Sequence, residues 1–476
     1  MISWAPSLHR STTLRRAVGV AASVCLVVGL ANGPATGITG AGTASASPAT
    51  DPGHPLAPPP VEEVLNPWTE RAIRDGRPAT IDENLRGIWG PPGQFFDEPS
   101  PLPDVPVGTL LKSEPFQVIF NGFVPAHVRA WRMMYVTEDV RGDRVVSTGI
   151  ILLPEDGRDD AGRPVIALQE TNDSAAPRCH PSSQWSGGAI GDASGIFAVG
   201  PLMQMLGAGA AVVISDIGND AAPGVHGVFA GRYAGMALLN GLRAAYQVPG
   251  PQVNPRNEVG VFGVAGGGVG AAFALEYQPW YAPELTISAT VLEALAVDQR
   301  NFVDFADGHL GSGFVLGLLV GLEAQYPELN LDEHLNPAGK ALADVFRATC
   351  QTPTYFSTPF LPHSVLYEDG IRPADRAEFQ EVYRVNSLGR NNPAHDPALR
   401  PPGRILVSSC ARDDSFMVVT PAADARWLAD TYRSQGADVH YQGLDCGNDV
   451  LLSDPYKWGT ELFGMHTVSW LLDEIR

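Results

Sequence analysis

One stretch constrains the fold more than any other. NEVGVFGVA, residues 257–265, runs directly into GGGVGAAFALEY, residues 266–277. An unbroken apolar run predicts a buried strand, and glycines opening a small-residue helix predict a tight strand-to-helix turn. The same alternation recurs along the chain. VIALQ (165–169) and AAVVISDIG (210–218) are strand-like, and AGRYAGMALLNGLRAAYQ (230–247) carries apolar residues at three- and four-residue steps. GRILVSSCARDD (403–414) and ADVHYQGL (437–444) flank a helical PAADARWLADTYRSQG (421–436), and a last helix runs through TELFGMHTVSWLLDEI. AWRMMYVTEDVRGDRVVSTGIILLP (130–154) predicts two strands joined by a polar turn at Arg141-Gly142-Asp143. Strands alternating with helices specify an α/β fold, a mostly parallel sheet flanked by helices. Residues 299–400 break this rhythm: rich in Asp, Glu, Pro and Asn, they read as an inserted helical cap between core segments 85–298 and 401–476.

Charge and termini bound the function classes. The net charge is 32 − 52 = −20, which argues against a nucleic-acid partner, because phosphate binding needs clustered Lys and Arg. Arg10, Arg15 and Arg16 precede the apolar AVGVAASVCLVVGLA (17–31), and Ala44-Ser45-Ala46 fits a cleavage site. Residues 1–46 therefore read as an export signal. The apolar run is shorter than the ~20 residues that span a bilayer, so no stable transmembrane segment is expected after signal removal. The product is expected to be secreted or associated with the cell envelope. A Pro-rich leader, 47–84, follows. Removal of Cys25 with the signal leaves Cys179, Cys350, Cys410 and Cys446. An even count in an exported chain suggests two disulfides, with three connectivities open. No C-x-x-C pair is present, so no metal is expected.

The turn itself raises the chemical question. A serine hydrolase places its nucleophile in G-x-S-x-G on such a turn, and the next residue's N–H helps to hold the oxyanion. Here the pentapeptide is Gly263-Val264-Ala265-Gly266-Gly267, and no Ser anywhere in the chain has Gly both two before and two after it. GGGVGA (266–271) also fits a G-x-G-x-x-A dinucleotide pattern. It lacks the early βαβ setting, and export disfavours a nicotinamide, so no cofactor is expected.

Several separate segments resemble the secretory lipase family of bacteria and fungi, which contains the lipase A-type triacylglycerol lipases. VISDIGNDAAPGVHGVFAGRYAGMALLNGLRAA is similar to that family's D-Y-x-G segment and the long helix after it. Tyr281-Ala282-Pro283-Glu284-Leu285 matches its Y-A-P-E-L, and Cys179-His180-Pro181-Ser182 matches its C-x-P-S. The resemblance covers roughly residues 85–476 and implies an α/β-hydrolase fold. It also implies a triad in the order Ser, Asp, His. The nucleophile slot holds Ala265. The acid follows RILVSS and falls on Asp413, with Asp414 the alternative. The base slot, a Gly-His step ahead of Trp470, is Gly447-Asn448. Neither a methyl nor an amide can take and return a proton near neutral pH. The oxyanion region implied is Glu170, Thr171 and Gly266, where acidic side chains would oppose an oxyanion unless they face solvent. The resemblance further implies the disulfides Cys179–Cys350 and Cys410–Cys446.

Substitutes for the missing groups are weak. His440 and His466 read as half-buried packing residues, and His180 and His226 as solvated loop residues. Ser186 and Ser312 lack the strand-turn-helix setting. The expected function is an inactive secreted lipase or esterase homologue. The alternatives are a lipid- or acyl-binding protein using the retained cleft, and an active carboxylic-ester hydrolase with unrecognised catalytic groups.

Overall fold

The period-two pattern of the strands sets the architecture. In the computed structural model, Ile151 and Leu153 of one strand pack into one apolar cluster while Ile150 and Leu152 pack into another. Val165 and Ala167 divide from Ile166 and Leu168 in the same way, as do Ala211 and Val213 from Val212 and Ile214. Successive side chains leave a strand on opposite faces, so a sheet buried on both sides must carry apolar residues at every position. Complete burial of each such side chain contributes about 1.5–3 kcal/mol.

The structure describes residues 74–76 and 94–475, apart from 121–124, 126, 171–173, 189–191, 221–225, 352–354, 356, 417, 455–456 and 458–463. All belong to one unit, Val61–Arg476. The export signal expected at 1–46 lies outside them.

The strands are β1 (Leu110–Phe116), β2 (Val128–Glu138), β3 (Arg144–Pro154), β4 (Val165–Gln169), β5 (Ala211–Ser215), β6 (Val259–Val264), β7 (Ile287–Glu293), β8 (Arg404–Cys410) and β9 (Asp438–Leu444). They form one nine-stranded sheet in the order β1-β2-β3-β5-β4-β6-β7-β8-β9. β1, β2 and β3 pair antiparallel, β3 meets β5 antiparallel, and every pair from β5 to β9 is parallel. The expected β2–β3 turn is present, with Gly142 at φ +86. β1 and β7 were not legible in the sequence.

Eight helices carry labels here. They are α1 (Ala193–Gly207), α2 (Gly231–Ala245), α3 (Gly266–Tyr281), α4 (Ser312–Gln325), α5 (Pro337–Ala348), α6 (Ala422–Ser434), α7 (Asn448–Ser453) and α8 (Thr467–Glu474). α2 and α3 contribute to the first apolar cluster, while α1 and α8 contribute to the second. Between β7 and β8 the chain forms Gln299–Ala306, α4, α5 and Ala377–Val385 with short turns between them. The carboxyl end of β6, where it passes into α3, lies between its parallel partners β4 and β7. In α/β sheets this carboxyl edge is where ligands and chemistry are placed.

Candidate functional site

The elbow is held by crowding. A Cβ on Gly263 would lie 2.6 Å from the Gly267 carbonyl oxygen, and one on Gly268 would lie 2.8 Å from Leu295 Cβ. A Cβ on Gly267 would lie 2.2 Å from the carbonyl oxygens of both Gln169 and Glu170. Only hydrogen fits at these positions, so the glycines bring α3 down against the ends of β4 and β7. Between them Ala265 adopts φ 53, ψ −124, and its N–H donates to the Glu293 carbonyl at 2.9 Å. That conformation costs a non-glycine residue about 1–3 kcal/mol and persists only where the surroundings over-determine it. The Ala265 methyl packs against the cluster containing Phe262, Val264 and Trp185. Gly266 opens α3, half-buried, with an N–H of the kind a helix start leaves outside its own ladder.

The base slot and the acid loop expected from the sequence meet, though not through a carboxylate. Asn448 begins α7; its Oδ1 accepts from the Phe416 N–H at 3.0 Å and its Nδ2 donates to the Asp414 carbonyl at 3.4 Å. Both bonds go to backbone of the loop after β8. Asp413 is exposed, and its Oδ1 accepts from the Ala422 N–H at 2.7 Å, at the start of α6. Asp414 is also exposed and pairs with Arg412 at 2.7 Å. The Cys410–Cys446 disulfide, with Cα atoms 5.5 Å apart, ties the end of β8 to the residues just before Asn448.

The expectation for Glu170 needs correction. Its side chain neither faces solvent nor lies free at the mouth: it is 2% exposed, and Oε1 accepts from the Trp185 indole at 2.5 Å. Phe120 stacks on that indole with centroids 4.8 Å apart. Burial pushes the carboxyl up to about 8; the Trp185 bond opposes this, and Asp216 and Asp192 add to it. Thr171, expected beside Glu170 and Gly266 in the oxyanion region, lies outside the described residues. The raised value sets a pH dependence. The folded state keeps a proton between about pH 4.5 and 8 that the unfolded chain releases, so this group's contribution to stability is lost as pH rises across that window. Glu170→Gln is expected to reduce the loss of stability between about pH 5 and pH 8 by on the order of 2 kcal/mol, measured by urea unfolding at both values.

His180 and His226 are also corrected: they are 0% and 5% exposed, not solvated, with ring centroids 4.0 Å apart. Burial is the main cause that holds both imidazoles below their ordinary value, His226 at about 4. Around them lie carboxyls that sequence reading missed. Asp216 accepts from Thr148 Oγ1 at 2.6 Å and from the Ser182 N–H at 2.9 Å, and Asp220 accepts from the His180 N–H at 3.1 Å. Burial raises them to about 6 and about 8. Their signal was the SDIGND run straight after an apolar strand. The Cys179–Cys350 disulfide joins this loop to the chain beyond α5, and the Gln351 N–H donates to Ser174 Oγ at 2.6 Å.

Glu293 was also missed. Besides accepting from Ala265 through its carbonyl, it accepts at its carboxylate from the Gly464 N–H at 2.8 Å and from Thr467 Oγ1 at 2.5 Å. It couples the elbow to the last helix. The two serines considered from sequence are committed to carbonyls: Ser186 Oγ donates to the Ser182 oxygen at 2.7 Å and Ser312 Oγ to the Leu361 oxygen at 2.7 Å. His363 approaches Ser312, but its Nε2 meets the backbone oxygen at 2.8 Å and not the hydroxyl. His440 and His466 are exposed, against the half-buried packing expected. Among the described residues no group of His, Cys, Asp or Glu could hold a metal ion, and no helix is long and apolar enough to cross a membrane.

Comparison with known proteins places this geometry. The family model described as secretory lipase matches residues 198–442, just over half of the chain. A secreted triacylglycerol lipase of Malassezia globosa is 25% identical over 356 residues, covering 74% of each chain. A protein of Mycobacterium tuberculosis named "probable inactive lipase" is 25% identical over 380 residues, covering 77% of this chain and 80% of that one. Among solved structures, lipase A of Candida antarctica is similar with a TM-score of 0.62 at 19% identity, covering 78% of this chain and 83% of that one. That last likeness speaks for the fold alone, a mostly parallel sheet flanked by helices. With the family model spanning β5 to β9 and the elbow in its place, the chain belongs to the secretory lipase family.

Proposed function

We propose that this protein is an exported, catalytically silent member of the secretory lipase family. One observation carries the reading: the strained elbow position, Ala265 at φ 53, ψ −124, bears a methyl where acyl transfer needs a nucleophilic oxygen. Asn448 in the base slot supports it. Its amide does not titrate near neutral pH, and both of its polar atoms are committed to backbone. Asp413 stands in the acid slot but caps α6 instead of orienting a base. Gly266 and Glu170 are the remains of the oxyanion region. Loss of the nucleophile or the base from such a triad costs about a million-fold in turnover.

Residues 299–400 act in this reading as a cap over the elbow, anchored by Cys179–Cys350. The charged N-terminus with its apolar run supports export, as do relatives named secreted. A relative named probable inactive is consistent with silence. The reading with unrecognised catalytic groups is disfavoured by Ser186 and Ser312, whose hydroxyls donate to carbonyls. The test is covalent labelling by a fluorophosphonate, which reports an activated serine; none is expected.

A further inference from the structure

A second site lies at the other end of the sheet. A cavity of about 500 Å³ is lined by Val107, Arg243, Tyr246, Arg256, Glu284 and Leu285, among others. Arg256 precedes β6 and Ala265 follows it, so the cavity and the elbow are separated by the length of that strand, on the order of 20 Å. Its volume falls within the range of small-molecule sites. Glu284 and Leu285 belong to the Y-A-P-E-L motif, which the elbow does not use.

The cavity wall is fixed in advance. Arg243 donates from Nε to Glu284 at 2.6 Å, from Nη1 to Asn240 at 2.9 Å and from Nη2 to the Tyr281 carbonyl at 2.7 Å. A guanidinium carries five N–H groups, so two remain. Its stem lies against Gly108, at φ +77, where a Cβ would come within 2.4 Å of Arg243 Cδ. Gln247 closes the same wall, donating to the Gly108 carbonyl at 2.7 Å. Groups on two side chains are then left over. They are the two remaining N–H groups of Arg243 and the guanidinium of Arg256, which is exposed and in no ion pair among the described residues. Arg243 and Arg256 against Glu284 give 2 − 1 = +1, a local positive charge on a chain of net charge −20. Val107, Pro255 and Leu285 supply the apolar part of the lining.

We propose that this cavity binds a small amphiphile with a singly charged carboxylate head and a short apolar chain. Arg256 and the free N–H groups of Arg243 hold the head, and the chain lies along Val107 and Leu285. The proposal does not depend on silence at the elbow.

Calorimetric titration of the mature protein with decanoate tests it, alongside decanol and acetate. One equivalent of decanoate is expected to bind saturably, with decanol and acetate at least tenfold weaker. Arg256→Ala is expected to weaken decanoate about tenfold, the effect of one charge-assisted contact. Arg256 is exposed, so its variant keeps the fold. Hydrogen exchange in the presence of decanoate should show protection at residues 107–110 and 243–256. Absence of saturable binding, an unaffected Arg256→Ala variant, or protection at 263–268 instead would overturn the proposal.

Discussion

Ala265→Ser by itself is expected to leave hydrolysis of p-nitrophenyl butyrate at the level of the wild-type protein. The substitution returns an oxygen to the elbow but no group to deprotonate it. Asn448 has its carbonyl on the Phe416 N–H and its amino group on the Asp414 carbonyl, and no protonation change near neutral pH is open to it. The double change Ala265→Ser with Asn448→His supplies a base and is expected to raise turnover at least tenfold over the single variant. It should still fall about ten-thousandfold short of a complete triad, the order lost when the acid alone is missing. Asp413 is turned to the Ala422 N–H and Asp414 to Arg412, so the new imidazole has no carboxylate to fix its tautomer. The imidazole must also give up the two backbone bonds that Asn448 makes, each worth about 1 kcal/mol. Strong activity from Ala265→Ser alone would show that another base serves the site.

The largest effect on stability is expected at Gly267. Gly267→Ala puts a methyl 2.2 Å from two carbonyl oxygens, those of Gln169 and Glu170. Gln169 ends, and Glu170 directly follows, a central strand whose five residues are all buried and whose neighbours, β5 and β6, hold it from either side. A flexible side chain could turn aside; these backbone atoms cannot. The expected loss is about 3 kcal/mol or more, at or above the upper end for overpacking, read as a lower urea midpoint at unchanged slope. Ala265→Gly is the control. It relieves the positive φ but adds freedom to the unfolded chain, and these terms, about 1 kcal/mol each, nearly cancel. A well-tolerated Gly267→Ala would mean that crowding does not hold the elbow. The same result would remove the explanation for why the turn survives without its hydroxyl: the geometry is fixed by packing, which never involved that oxygen.

What could be read from sequence follows from where the information resides. Strands β4, β5, β6 and β8 announce themselves because a sheet covered on both faces needs unbroken apolar runs, and the elbow because its glycines follow one of those runs. β7 hides: ISATVLE mixes polar and apolar residues, with Thr290 and Glu293 buried among them and Glu293 bonded to the Gly464 N–H and Thr467. β1, LLKSEPF, lies at the sheet edge and is only partly buried, so it carries no continuous apolar signal. At the candidate site the chemistry of Ala265 and Asn448 was legible, since identity alone decides what those residues cannot do. Its surroundings were not. His180, His226 and Glu170 sit on connecting segments, where residues of their type are usually solvated. Their burial comes from the disulfide-tied loop and from Trp185, contacts made across long sequence separations. The direction of a carboxylate is equally non-local: the acid was expected at Asp413 or Asp414, yet nothing in ARDDSF foretells a bond to Ala422.

The central claim is that no activated serine exists at the elbow or elsewhere in the crevice. Intact-mass analysis of the mature protein after saturating fluorophosphonate treatment measures this most directly, with an active secretory lipase labelled in parallel. The expected result is full labelling of the active lipase and an unmodified mass for this protein. Stoichiometric addition at a single serine would contradict the account.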